Sequence, residues 1–186
     1  PGMYASVMQT VDLEMEMSSA LERREFVPYF QPIVDLRTCE IVGFEALVRW
    51  QHPARGLLAP GTFIQIAEDS GLIERLGRSM LEQACRHAVE WLQTVRPERL
   101  QHIAINISGR QIEHSDLVGE VRHVLETLQI PPHVLVLEIT ESVLMQNVTA
   151  AIDQLTRLKQ LGVRIALDDF GTGYSSLSYL HRFPID

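Results

Sequence analysis

Residues 134–169, VLVLEITESVLMQNVTAAIDQLTRLKQLGVRIALDD, hold the pattern that decides the fold. The two ends, 134–140 and 164–169, are apolar at nearly every position until a polar residue appears near the C-terminal end, as in strands covered on both faces. Between them, 142–161 has the spacing of an amphipathic helix and is closed by Gly162, a residue that readily takes the left-handed turn on which helices end. Two strands joined by a helical crossover of this length pair in parallel.

The same alternation extends toward the N-terminus. Further strands are expected at 27–36, 41–50 and 103–108, and further helices at about 62–70, 73–95 and 115–128. A leading helix is expected over 11–26, with Leu13, Met17, Ala20 and Leu21 on one stripe, acidic residues early, and Arg23 and Arg24 late. Only residues 37–40 join the first two strands, too few for a parallel crossover, so these two form an antiparallel hairpin. No low-complexity tract or long linker interrupts the chain, which reads as one domain.

With 46% hydrophobic and 22% charged residues among 186, the composition is that of an ordinary globular domain. A net charge of −8 argues against a nucleic-acid polymer as partner, because phosphate backbones are bound through Lys and Arg. It leaves room for a small anionic ligand held through metal ions. Cys39 and Cys85 form no disulfide framework or metal pattern, and nothing at the start resembles a signal peptide, so a cytoplasmic location is expected. No apolar run approaches the ~18 residues of a membrane span, so no direct membrane contact is expected in this segment.

The chemistry is carried by polar residues on the strands. In GFEALVRW, residues 43–50, alternation puts Glu45, Leu47 and Arg49 on one face and Phe44, Ala46, Val48 and Trp50 on the other. Glu45 and Arg49 are either a metal ligand beside a phosphate clamp or an internal ion pair. Asn106 near the end of one strand, Glu138 inside the next, and Asp168 with Asp169 at the end of a third bring oxygen ligands to the same rim. Crowded carboxylates repel unless cations sit among them, and an all-oxygen set suits Mg²⁺ or Mn²⁺ rather than zinc. Two such ions ~3.5–4 Å apart activate water and steady an in-line attack on a phosphodiester; the alternative is scattered acids that only cap and pair.

The stretch DFGTGYSS, 169–176, reads as a polar loop beside the site, or as a plain turn in which Ser175 or Ser176 caps the next helix. Glu141, on the opposite strand face from Glu138, is better suited to anchoring that loop than to sharing the metal. The seven histidines lack HxH or HxxxH spacing, Ser108 lacks a nucleophile's context, and Met15, Met17 and Met145 have core or interface spacing.

Taken together and in order, YFQPIVDL, GFEALVRW, INIS, LEITES and ALDDFGTGYSSL resemble the EAL domain family from about residue 20 to the last. The resemblance implies an α/β fold, a modified (β/α)8 TIM-like barrel with an antiparallel first hairpin, and hydrolysis of cyclic di-GMP to linear pGpG with two Mg²⁺ or Mn²⁺ ions. It implies Glu45, Asn106, Glu138 and Asp168 as metal ligands, with Asp169 serving the second metal or its water. Glu45, Asp168 and Asp169 become catalytic, Gln31, Leu47 and Arg49 substrate-binding, and Glu141 the anchor of the DFGTGYSS loop.

Family members continue past the position of Asp186 into a strand with an essential lysine, the general base, and then into further strands. The resemblance therefore predicts a barrel incomplete in this chain, with residues 20–186 as the N-terminal two-thirds of the domain and an open edge that leaves the piece inactive, unstable or partnered as a homodimer. Residues 1–19 read as a linker from an upstream signalling domain of GGDEF type. The competing function is a receptor that binds cyclic di-GMP without cleaving it, and a third is a dimerisation piece.

Overall fold

The structure, a computed structural model, describes residues 2–94, 101–141, 143, 148–169 and 181–186, with side chains of the first helix from Asp12 onward. Helix α1 (Gly2–Glu22) leads into the hairpin of β1 (Phe26–Val34) and β2 (Ile41–His52), and β3 (Gly56–Leu58) folds back on the end of β2. After a short 3-10 turn come α2 (Ile64–Ser70), α3 (Leu72–Thr94), β4 (His102–Ile107), α4 (Gly109–His114) and α5 (Leu117–Leu128). A second 3-10 turn precedes β5 (Leu135–Thr140), and α6 (Val148–Gln160) and β6 (Arg164–Asp168) follow.

The expected leading helix stops four residues early, at Glu22. Arg24 turns the chain with φ 57°, and Phe26 opens β1 instead of ending the helix. Packing explains the change: Phe26 is 1% exposed, with its ring 4.9 Å from that of Trp50 and 5.4 Å from that of Phe63. The Trp50 indole N–H donates to Glu25 at 3.0 Å, which fixes the same corner.

Two other elements were not expected. β3 and α4 have three and six residues, too short to show a period. α4 is nonetheless well signalled locally, since Ser108 and Gln111 form a reciprocal capping box. The helix expected from 115 begins at Leu117, with Asp116 accepting the Gly119 N–H at 3.1 Å. The start of the helix expected from 142, most of the loop at 169–176 and Met145 lie outside the described residues.

The sheet order is β1-β2-β4-β5-β6, antiparallel between β1 and β2 and parallel from β2 onward, as the hairpin and crossover readings require. Asp35 sets the hairpin turn by accepting the N–H groups of Arg37 and Thr38 at 2.8 and 3.0 Å. Beyond β6, the Asp186 N–H donates to Ile165 O at 2.9 Å, so the last residues run beside that strand. Among the described residues the sheet does not close, and the fold is a partial barrel. No described helix is long and apolar enough to cross a membrane.

One face of the sheet carries the core. Ala46, Ile103, Ile105, Ile107, Leu135, Leu137, Ile139 and Ile165 pack there with side chains of α3, α5 and α6 such as Leu81, Val121 and Leu155. A second cluster joins Leu13, Met17 and Ala20 of α1 to Phe26, Trp50, Phe63 and Leu76, which makes Met17 a core residue while Met15 stays 65% exposed. α1 is further tied down by a hydrogen bond between Glu16 and the buried His52.

Candidate active site

Because side chains alternate along a strand, the residues opposite that core share the other face. Counting along β2 from Ala46 puts Glu45, Leu47 and Arg49 there. Asn106 on β4, Glu138 and Thr140 on β5, and Asp168 on β6 follow by the same count. The parallel register carries them across the sheet: Glu45 lies opposite Ala104, Asn106 opposite Glu138, and Thr140 opposite Asp168. Gln31 of β1 faces Glu45 across the hairpin.

Direct contacts agree with the register. The Asn106 amide donates to Glu45 Oε1 at 2.8 Å. The Asp169 N–H donates to Asp168 Oδ1 at 2.9 Å, and Asp169 sits in the left-handed region at φ 53°. Burial, then the charges of Glu45 and Asp168, push the Glu138 carboxyl up from its ordinary 4.5 to about 7. Those three carboxylates therefore feel one another across three strands.

Arg49 donates Nη1–H to its neighbour Val48 O at 2.9 Å, and its guanidinium carbon lies 5.9 Å from the centre of the Tyr29 ring. Among the described residues no ion pair joins Arg49 to Glu45; the Arg49 guanidinium turns instead to Val48 O and the Tyr29 ring. Leu47, Asn106 and Thr140 also border a cavity of ≈ 320 Å³ whose other walls are mostly apolar side chains of the core side, among them Val48, Leu76 and Met80; Glu45, Glu138 and Asp168 do not line it. Glu141 directly follows β5 and is 4% exposed, while most of the loop proposed as its partner lies outside the described residues.

Three carboxylates and an amide, all oxygen-bearing and mutually repelling at Glu138, fit a hard divalent cation in kind. In this arrangement they stand apart: among the described residues no three His, Cys, Asp or Glu side chains are gathered into a ligand cage. Such a rim can attract a cation, and with Arg49 beside it, a phosphate.

Period-two counting within β2 found Glu45, Leu47 and Arg49 but missed Tyr29, which shares their face from the neighbouring strand. Counting back two from Gln31 was the available signal. The opposite end of the same face also went unread: Arg164 donates to the carbonyls of His133 and Gln101 at 2.9 and 3.0 Å, and burial followed by Arg164's charge lowers the pKa of His102.

Comparison with known proteins agrees with this architecture. The family model for the EAL domain matches residues 14–186. The chain is 42% identical over 182 residues to the bifunctional diguanylate cyclase/cyclic di-GMP phosphodiesterase MucR of Pseudomonas aeruginosa, an alignment covering 98% of this chain and 26% of that protein. It is 43% identical over 178 residues to the cyclic di-GMP phosphodiesterase NbdA of the same organism, covering 96% of this chain and 22% of that protein. The solved PaMucR phosphodiesterase in its c-di-GMP complex superposes with a TM-score of 0.88 at 42% identity, over 94% of this chain and 70% of that one. The chain spans about a quarter of the length of the curated relatives it matches.

Proposed function

The chain belongs to the EAL domain family, and from that premise we propose that the protein carrying it hydrolyses cyclic di-GMP to linear pGpG in bacterial second-messenger signalling. The observation that supports this most is the rim itself: Glu45, Asn106, Glu138 and Asp168 arrive on one face from four adjacent strands, with the Glu138 carboxyl pushed up to about 7 by burial and then by the charges of Glu45 and Asp168.

In this reading Glu45, Asn106, Glu138 and Asp168 hold Mg²⁺ or Mn²⁺, with Asp169 serving a second ion. Bound there, such ions would lower the pKa of a coordinated water and lend positive charge to the phosphoryl oxygens. Arg49 presents its guanidinium fork to a non-bridging phosphate oxygen, stabilising charge that grows during the attack. Gln31, opposite Glu45, offers an amide to the substrate, and Leu47 gives the pocket an apolar wall that excludes water. Glu141 anchors the loop at 169–176. The protein acts in the cytoplasm, and residues 1–19 link to an upstream signalling domain.

The test is chromatographic assay of pGpG formation by the protein that carries this chain, with Mg²⁺ or Mn²⁺ and with EDTA. Cleavage is expected only with the cation, and Glu45→Ala, which removes a proposed metal ligand, is expected to lower it about a hundredfold or more, the order lost when one electrostatic group acting on the transition state is removed. Tight binding without turnover would convert the reading to a receptor, and turnover unchanged by Glu45→Ala would remove this site.

A further inference from the structure

We infer that Tyr29 is a positioning residue that holds Arg49 ready for phosphate; the inference rests on the proposed role of Arg49. β1 pairs with β2 so that Tyr29 lies opposite Leu47 and Val27 opposite Arg49. Tyr29 is therefore the diagonal neighbour of Arg49 on the same face, a spacing that an aromatic ring and a long side chain can bridge. The guanidinium carbon does reach the ring, at 5.9 Å from its centre.

Tyr29 is 45% exposed and belongs to neither hydrophobic cluster, so packing into the core does not explain a large aromatic at this place. An arginine on a free stem samples many rotamers, whereas a guanidinium laid on a ring and tied by one N–H to Val48 O keeps its remaining donors in one direction. The ring thus takes up part of the ordering that a bound phosphate would otherwise have to impose on the side chain. Gln31, two residues on along β1, shares the face and lies opposite Glu45, so Tyr29 stands one step along that face between the Gln31–Glu45 pair and Arg49.

The experiment has two readouts on the protein that carries this chain. In the ligand-free protein, the Arg49 Nε–Hε NMR resonance is expected to carry a ring-current shift that persists in Tyr29→Phe and vanishes in Tyr29→Leu. With EDTA present to stop cleavage, titration with cyclic di-GMP is expected to show about two- to fivefold weaker binding for Tyr29→Leu, the range of an exposed cation–π contact. Tyr29→Phe should bind as wild type, and Tyr29→Leu should cost nothing further in an Arg49→Ala background.

An equal loss in the Arg49→Ala background, or a Tyr29→Phe as weak as Tyr29→Leu, would mean that Tyr29 acts on the ligand or the fold directly and would overturn the inference. So would an Arg49 resonance indifferent to residue 29. If the wild-type protein binds no cyclic di-GMP, the proposed function falls, and the NMR comparison still decides the Tyr29–Arg49 contact alone.

Discussion

On β5 the odd positions Leu135, Leu137 and Ile139 are at most 1% exposed under the helices, whereas the even positions Glu138 and Thr140 face the open side of the same strand. β4 divides in the same way, with Ile103, Ile105 and Ile107 in the core and Asn106 exposed opposite them. One face is apolar throughout, while the other is apolar at Ala104 and Val136 and turns polar only toward the C-terminal ends of the strands. The carboxylates that destabilise one another at Glu138 are tolerable because the helix-covered face carries the stability.

The sharpest way to break this division is to compare truncations on the two faces. Leu137→Ala, at a fully buried position, is expected to cost about 2–5 kcal/mol in urea unfolding. Glu45→Ala, which loses one exposed hydrogen bond to Asn106, should cost about 1 kcal/mol or less. If the two variants lost equal stability, the two faces would not be energetically separate.

A smaller effect is expected at the corner between α1 and β2. Glu25 accepts from the Trp50 indole and pairs with Arg23, which lowers its pKa chiefly through the Arg23 hydrogen bond. Glu25→Gln should cost about 1 kcal/mol in the same assay while leaving pGpG formation unchanged.

The cysteines sharpen the contrast chemically. Cys39 is exposed at the hairpin turn and Cys85 is buried in the core, where burial pushes its thiol up from 9.0 to about 12. Iodoacetamide should label Cys39 in the folded protein and reach Cys85 only on unfolding, as peptide mass spectrometry would show. A thiol pKa raised by folding gives stability that is intact below the ordinary value and is lost as pH rises from 9.0 toward about 12. Cys85→Ala should lose less stability than wild type across that alkaline window.

Much of this was legible in the sequence because it depends on short-range periods. Alternation along β2 separated Glu45, Leu47 and Arg49 from Ala46 and Trp50, and the crossover ending at Gly162 fixed parallel pairing of β5 and β6. What depended on register between strands was not legible. Tyr29 meets Arg49 only because the Asp35 turn sets the hairpin register, and Phe26 leaves the helix only because Trp50 and Phe63 offer it a pocket. β3 and α4 escaped because elements of three and six residues show no repeat. The repulsion at Glu138 needed the spatial sum of burial, Glu45 and Asp168, which no linear spacing gives.

The proposed function requires the rim of Glu45, Asn106, Glu138 and Asp168 to bind a divalent cation. Its most direct test is thermal unfolding of the protein that carries this chain during titration with Mg²⁺ or Mn²⁺, for wild type and for a Glu138→Gln, Asp168→Asn double variant. A ligand that binds only the folded state raises the midpoint with concentration. A cation-dependent rise is expected in wild type and not in the double variant; the same rise in both would mean that the cation binds elsewhere.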